Sequence, residues 1–247
     1  MKKTLLKKAA AIAASALAAL SLIWTPAPAV KAASDPEVLG AGYSSVLYDN
    51  TDGLPTSDAN AVVQTSDGFI WIGSYSGLIR YDGNEFYRYD SSNGVSSVTS
   101  LYVDSKDRLW IGTNDSGVFV LEKEEFKPYD REAGLKSSSV RALVEDENGN
   151  IIVGTTMGAA YVDPEGAMHA IDDPQLNREY ICELNKDGRG VVYGVTNSGA
   201  FFTLEDLRVT AFYHGESFGY GAIYTVYPDP VNEGYVYFGT REATVVH

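Results

Sequence analysis

The sequence is poor in the residue types that do chemistry. It holds one cysteine, three histidines and three methionines among 247 residues. A lone Cys182 excludes an internal disulfide, and no second ligand stands at a metal-binding spacing from it. It lies in the apolar stretch 180–184 and reads as a buried, unreactive thiol. His169, His214 and His247 make no HExxH pattern, and no phosphate loop or GxGxxG turn follows a strand. No nucleophile elbow occurs. Glu183, Asn185, Asp187 and Gly188 approach a calcium loop, but Gly194 stands where the bidentate acid belongs, so the segment reads as a hairpin turn. The acidic pairs Asp172-Asp173 and Glu124-Glu125 read as solvated loop residues rather than glycosidase carboxylates. The expectation is a non-enzyme with no catalytic residue, no metal and no cofactor.

Positive charge is also scarce. Nineteen Lys and Arg face 33 Asp and Glu, for a net charge of −14. Five of those lysines fall within residues 1–32. Lys2, Lys3, Lys7 and Lys8 precede an apolar run from Ala9 to Trp24, and small residues follow at Ala27, Ala29, Ala32 and Ala33. This is the order of a secretory signal peptide, with cleavage expected after Ala29 or Ala32 and a linker over 33–44. The apolar run is short for a membrane span, and none of eighteen residues follows. Without the leader, 14 basic residues face 33 acidic ones, a net charge of −19. Such a field opposes nucleic acid and anionic lipid. The expected location is extracytoplasmic, either periplasmic or secreted to the cell surface, with no nucleic-acid partner.

Glycine and aromatic residues are abundant, at 24 Gly, 17 Tyr and 9 Phe. That composition favours strands and tight turns. No segment after residue 34 sustains a 3.6-residue period over three turns. Instead one block recurs: an apolar strand ending in Gly, a polar loop, a second Gly and another apolar run. It reads Ile70-Trp71-Ile72-Gly73 then Gly77-Leu78-Ile79-Arg80-Tyr81, and Leu109-Trp110-Ile111-Gly112 then Gly117-Val118-Phe119-Val120. Later copies end at Gly154, Gly194 and Gly239, with Ile152, Val192 and Tyr237 at the Trp position. From Gly73 the intervals are 39, 42, 40 and 45 residues. Each period holds four strand candidates joined by turns such as Asp67-Gly68 and Asp82-Gly83, whose glycines supply positive φ.

Four antiparallel strands per roughly forty residues describe one propeller blade. A single such sheet cannot bury both faces, so blades must stack and bury Trp71, Trp110, Phe86 and Phe126 between them. The expected fold is all-β: a β-propeller over 45–247, with blades near 55–90, 95–130, 136–172, 176–214 and a partial fifth at 220–247. Residues 45–49 resemble a fourth strand and are expected to be lent to the last blade. Two readings stand: an open arc of a larger ring, or a closed five-bladed ring.

The stretch 53–90, GLPTSDANAVVQTSDGFIWIGSYSGLIRYDGNEFYRYD, resembles the two-component regulator propeller repeat, and Trp110–Thr113 matches it well. The resemblance covers nearly all of 45–247 and decays in the later copies. It implies a ring of commonly seven blades serving as the extracytoplasmic input region of a bacterial transmembrane signalling protein, with the effector outside this chain. Implied partners are a small extracellular ligand, an oligosaccharide among them, and self-association or a membrane-bound signalling protein. The alternatives are a secreted propeller enzyme acting on polysaccharide and a non-catalytic secreted binding scaffold.

In a propeller the loops between second and third strands open on one face. There they meet the loops between blades, which include Thr56, Ser57, Ser96, Ser97, Ser137 and Ser138. The first loop set supplies the candidate ligand-binding residues Ser74, Tyr75, Asn114, Asp115, Thr156, Met157, Thr196, Asn197 and Arg241, with Glu242 beside them. Tyr75, Asn114, Asp115 and Asn197 suit a sugar, offering an aromatic face with paired donors and acceptors. Arg80-Tyr81-Asp82-Gly83, a hallmark of the resemblance, is expected to hold the third strand and its turn.

Overall fold

Short apolar runs cut by Gly and Asp turns fold into hairpins, and among the described residues the helical segments are two short 3-10 turns, Ser91–Asn93 and Gly215–Phe218. A computed structural model describes residues 46–56, 58–241 and 245–246, the last two by their backbone. The expected leader (1–32), the linker (33–44), Ser57, Glu242 and His247 lie outside the described residues. The first sheet is β1 (Ala61–Gln64), β2 (Ile70–Ser74), β3 (Gly77–Tyr81) and β4 (Phe86–Tyr89). The second is β5 (Val98–Val103), β6 (Leu109–Thr113), β7 (Val118–Glu122) and β8 (Glu125–Tyr129). The third is β9 (Val140–Glu145), β10 (Ile151–Thr155), β11 (Gly158–Val162) and β12 (Met168–Ile171). The fourth is β13 (Ile181–Lys186), β14 (Val192–Thr196), β15 (Ala200–Glu205) and β16 (Arg208–His214). The fifth holds three described strands, β17 (Ile223–Pro228), β18 (Val236–Thr240) and β19 (Val245–Val246).

Every sheet is an antiparallel meander in chain order. The first strands β1, β5, β9, β13 and β17 pack on one another in succession, which makes them the inner edge of a propeller in an open arrangement. The expected outer strand at 45–49 does not form over its described part. Residues 46–49 are not strand, and among the described residues the fifth sheet takes no strand from the N-terminal side. Tyr48 packs instead on the first blade, its ring 5.5 Å from Tyr81 and 5.6 Å from Phe86, its hydroxyl 3.0 Å from that of Tyr81. The aromatic edge of β3 and β4 is the nearer apolar surface, and it captures the segment.

Two contacts explain the repeat. The first joins the opening hairpin turn to an aromatic residue on the second strand. Asp104 Oδ1 accepts the backbone N–H groups of Lys106 and Arg108, and its Oδ2 accepts the Trp110 indole N–H at 2.8 Å. Asp187 and Asp229 likewise accept the hydroxyls of Tyr193 at 3.0 Å and Tyr237 at 2.8 Å. In the first blade Trp71 donates to Thr65 Oγ1 at 3.1 Å, and Thr65 donates on to Asp67. The third blade has Ile152 at this place and no donor there, so Asp146 takes the Asn150 side chain instead, at 2.7 Å. The turn acceptor is satisfied in every blade, buried at Thr65, Asp104 and Asp146 and half-buried at Asp187 and Asp229.

The second contact locks blade to blade. A Cβ added to Gly73 would lie 2.6 Å from Val98 Cγ1 of the next blade. One on Gly112 would lie 2.7 Å from Val140 Cγ1, and one on Gly154 would lie 2.7 Å from Ile181 Cγ2. Each of these glycines is a socket for the β-branched residue that opens the next inner strand. Val98, Val140 and Ile181 are completely buried. The glycine is required by that close approach rather than by backbone conformation.

Pairing corrects the fourth copy. Gly73, Gly112, Gly154 and Gly239 pair with Ala61, Ser100, Ala142 and Thr225. In the fourth sheet the equivalent Glu183 pairs with Val195. Tyr193, not Val192, therefore stands at the Trp position, and Gly194 is not the socket glycine. Gly194 instead leaves room for the Phe202 ring of its own sheet. The sequence Val191-Val192-Tyr193-Gly194 matched the pattern one residue out of phase, because a Gly happened to precede the slot.

The Asp187 segment forms the β13–β14 turn, and Asp187 Oδ1 accepts the N–H groups of Arg189 and Val191. Cys182, expected in the core, is exposed. A bulge between Ile181 and Glu183 turns it out of the sheet alternation.

Candidate functional site

The second-to-third-strand loops are placed by one repeated hydrogen bond. In the second to fifth blades the residue after the second strand donates its N–H to the carbonyl just before the first strand of the same blade. The pairs are Asn114 to Ser97, Thr156 to Ser139, Asn197 to Tyr180 and Arg241 to Ala222, at 2.8–3.0 Å. These four residues thus hold equivalent places on one rim. The inter-blade loops meet them there: Ser137 and Thr156 share a hydroxyl hydrogen bond of 2.8 Å.

One polar cluster stands out. Arg141 is the bulged residue of β9, and its side chain reaches two other loops. Its Nη2 donates to Asn114 Oδ1 at 2.7 Å and its Nε donates to the Tyr180 hydroxyl at 2.7 Å. The guanidinium lies 5.5 Å from the Tyr180 ring centre. The Ser139 hydroxyl also reaches Asn114 Oδ1, at 3.5 Å. Three consecutive blades thus contribute Asn114, Arg141 and Tyr180. Arg141 and Tyr180 were missed in the sequence because both lie at the opening of inner strands, outside the loop set. The one signal was an arginine inside the short apolar run 140–144; the bulge that aims it leaves no mark of its own.

The cluster crowds its neighbour. Burial beside Tyr180 pushes the Cys182 thiol above its ordinary range, with Arg141 opposing the shift, so the thiol stays protonated at neutral pH.

The other candidates divide. Tyr75 and Met157 are exposed on the loop tips, 63% and 50% accessible. Asp115 faces a separate open recess of about 440 Å³, shared with Ser138 and Arg131. Arg241 and Asn197 are exposed. Ser74 and Thr196 are corrected: both are buried, and their hydroxyls serve the hairpin. Ser74 donates to the Gly77 carbonyl at 3.0 Å, as Thr113 and Thr155 do to Gly117 and Gly158, and Thr196 accepts from the Ala200 N–H. Among the described residues no group of three or more His, Cys, Asp and Glu is placed to hold a metal ion. His169 is held by Asp163 at 2.8 Å, across the β11–β12 turn.

Residues 53–76, 92–115 and 134–157 each match the family model of the two component regulator propeller. No match is found among curated proteins. Among solved structures, the chain is similar to the extracellular domain assigned to a hybrid two component system of B. thetaiotaomicron. The TM-score is 0.59 at 21% identity, over 76% of this chain and 29% of that one. A domain assigned to a one component system of the same organism gives 0.61 at 18% identity, over 80% and 31%. Virginiamycin B lyase of Staphylococcus aureus gives 0.61 at 13%, over 76% and 68%. The chain therefore spans under a third of these two extracellular domains. At these identities the likeness establishes the propeller fold. Among the described residues no helix is long and apolar enough to cross a membrane.

Proposed function

We infer, for a chain that carries two-component regulator propeller repeats, that it is the extracytoplasmic input region of a bacterial signalling protein and binds a small polar ligand on the rim. The carrying observation is the Asn114–Arg141–Tyr180 cluster, in which three blades meet on a single guanidinium. Arg141 holds the Asn114 oxygen and the Tyr180 oxygen, which leaves the Asn114 amide N–H groups and the Tyr180 O–H to face a ligand. With Tyr75 and Met157 exposed on the same loop set, the chemistry suits a neutral oligosaccharide: aromatic faces for the sugar ring and fixed donors for its hydroxyls. A ligand that bridges blades two to four would favour one relative placement of those blades, and that bias is the currency of signalling. The leader pattern and the acidic net charge support a place outside the cytoplasm.

A propeller enzyme is the rival reading, favoured by the lyase likeness. The lyase is rendered catalytically inactive by a single histidine substitution. Here His169 is engaged by Asp163 at a turn, and His214, exposed where β16 runs into the loop to the fifth blade, is in none of the ion pairs among the described residues. The test is titration calorimetry of purified chain against neutral, acidic and basic oligosaccharides, with Arg141→Ala and Asn114→Ala beside it. Saturable binding of a neutral sugar, lost in both variants without a fall in melting temperature, is expected. Product formation from any glycan, or binding that ignores both substitutions, overturns the reading.

A further inference from the structure

The opposite face carries a second feature. Between the first two blades, near the β1–β2 and β7–β8 turns, lies a cavity of about 470 Å³. Its walls include Phe69, Trp71, Tyr89 and Leu121, and Arg80 stands among them. Arg80 pairs with Trp71 across β2 and β3, and it belongs to the face that meets the second blade. At the equivalent places the second blade has Val120, paired with Trp110, and the third has Tyr161, paired with Ile152. An arginine thus replaces an uncharged side chain that fills the space between blades.

Asp82 lies near enough to feel the charge of Arg80, but no carboxylate among the described residues is in ion-pair contact with it. The Arg80 guanidinium lies 4.5 Å from the Phe69 ring centre and 4.9 Å from that of Tyr87. Its Nε is buried and has no hydrogen-bond partner. None of the ion pairs among the described residues includes it. The two rings stabilise the cation through their faces but accept none of its N–H groups. Three carboxylates share the cavity wall: Asp67 accepts from Thr65 and Phe69, Asp107 accepts twice from Ser66, and Glu124 stands beside Lys123 at the β7–β8 turn. Lys123 adds a second positive charge to the lining. A guanidinium offers a planar fork of donors that matches a carboxylate. A volume near 470 Å³ lies in the usual range for small-molecule sites.

We propose that this cavity is a second binding site, independent of the rim, for a small organic carboxylate: its anionic group on Arg80, its apolar body against Leu121 and the aromatic wall. It holds whatever the rim binds. Trp71, in the cavity wall, provides the signal. The probe is benzoate, titrated into the purified chain while indole emission is followed, with neutral benzamide and inorganic sulfate as comparators. Benzoate is expected to give a saturable change and benzamide none. Sulfate binding at similar strength, without benzoate, would mean a bare anion site and overturn the carboxylate assignment. Arg80→Met carries the decisive pair of readouts. It places an apolar chain where the second blade has Val120, so it should raise the urea midpoint while weakening benzoate at least roughly tenfold, the scale of a charged hydrogen bond. A fall in urea midpoint with benzoate affinity unchanged would make Arg80 a structural stacking residue and overturn the proposal. So would the absence of any benzoate response in the unsubstituted chain.

Discussion

Substituting Gly73 by alanine tests whether blades are joined by knob and socket. The added Cβ would sit 2.6 Å from Val98 Cγ1, 3.3 Å from Val98 Cβ and 3.4 Å from Leu101 Cγ. Ordinary carbon contacts begin near 3.5 Å, so the whole Val98 side chain must retreat, and it is completely buried with nowhere to turn. Overpacking of this kind costs about 1–3 kcal/mol, and the upper half of that range is expected here. Val98→Ala alone removes two buried carbons and leaves a void, a loss of about 2 kcal/mol. If the two sites were independent the double variant would lose roughly 4–5 kcal/mol. If they are knob and socket, the new methyl occupies the space vacated by the valine, and the double variant should lose only about 1–2 kcal/mol. The assay is urea unfolding of all four proteins followed by both indole emission and circular dichroism, with coincident transitions and equal slopes as the condition for comparison. Gly68→Ala is the control. That glycine has φ +91° and no atom near its absent Cβ. Its loss of about 1 kcal/mol is conformational and should be indifferent to Val98→Ala. Additivity of Gly73→Ala and Val98→Ala within about 0.5 kcal/mol would refute the interlock.

Three further outcomes follow from the turns and the inner edge. Asp104→Ala strands the Trp110 indole N–H and the Arg108 guanidinium, both held by a fully buried carboxylate; a loss of about 3 kcal/mol is expected, with a smaller one for Asp104→Asn, read from urea midpoints. Asp163, Asp187 and Asp229 are all held below the usual carboxylate range: Asp163 first by the Ala167 N–H, and Asp229 first by Asn232. For Asp187, burial pushes upward but is outweighed by Arg189, Tyr193 and backbone N–H groups. Carboxylates with depressed folded values stabilise the fold fully above their unfolded value and less as pH falls through the folded one. Melting temperature should therefore be level from pH 7 to about 5 and drop below about pH 4. A rise on acidification would show that relief of negative self-repulsion dominates instead. Cys182 is exposed but raised, so its alkylation at pH 7 should lag a free thiol and catch up only above the ordinary thiol range; reaction at the free rate at pH 7 would contradict its crowding by Tyr180 and Arg141.

How much of this was readable without coordinates depended on period. Glycine and aspartate at forty-residue spacing located the hairpins, because a positive φ or a turn-capping carboxylate is a local demand that a single residue meets. Blade number and strand order followed. Phase did not follow where two apolar residues and a glycine could be aligned in two ways. The fourth copy slipped by one, as the pairing of Glu183 with Val195 shows. The rim divided for the same reason. Loop position was legible from the repeat, but Ser74 and Thr196 close their own hairpins, and Asp115 faces a separate recess from the Asn114 cluster. Arg141 was hidden because its reach to Asn114 depends on a bulge, which adds one residue to a strand without marking the sequence.

The decay of the tryptophan motif along the chain then has a physical meaning. What each blade keeps is not a residue type but an acceptor with a donor. Thr65 takes the Trp71 indole, Asp104 takes that of Trp110, and Asp187 and Asp229 take tyrosine hydroxyls. Where Ile152 offers no donor, Asn150 moves into the role for Asp146. A buried carboxylate left without partners is far more costly than any change of apolar shape, so turn acceptor and second-strand donor must change together. Tyr193→Phe should accordingly be more harmful than its one lost hydroxyl suggests, since Asp187 would keep Arg189 alone among its side-chain partners. Pairing it with Asp187→Asn should recover part of the loss. If the double variant is no better than the sum of the singles, the blades are held by shape alone and the polar anchor is incidental.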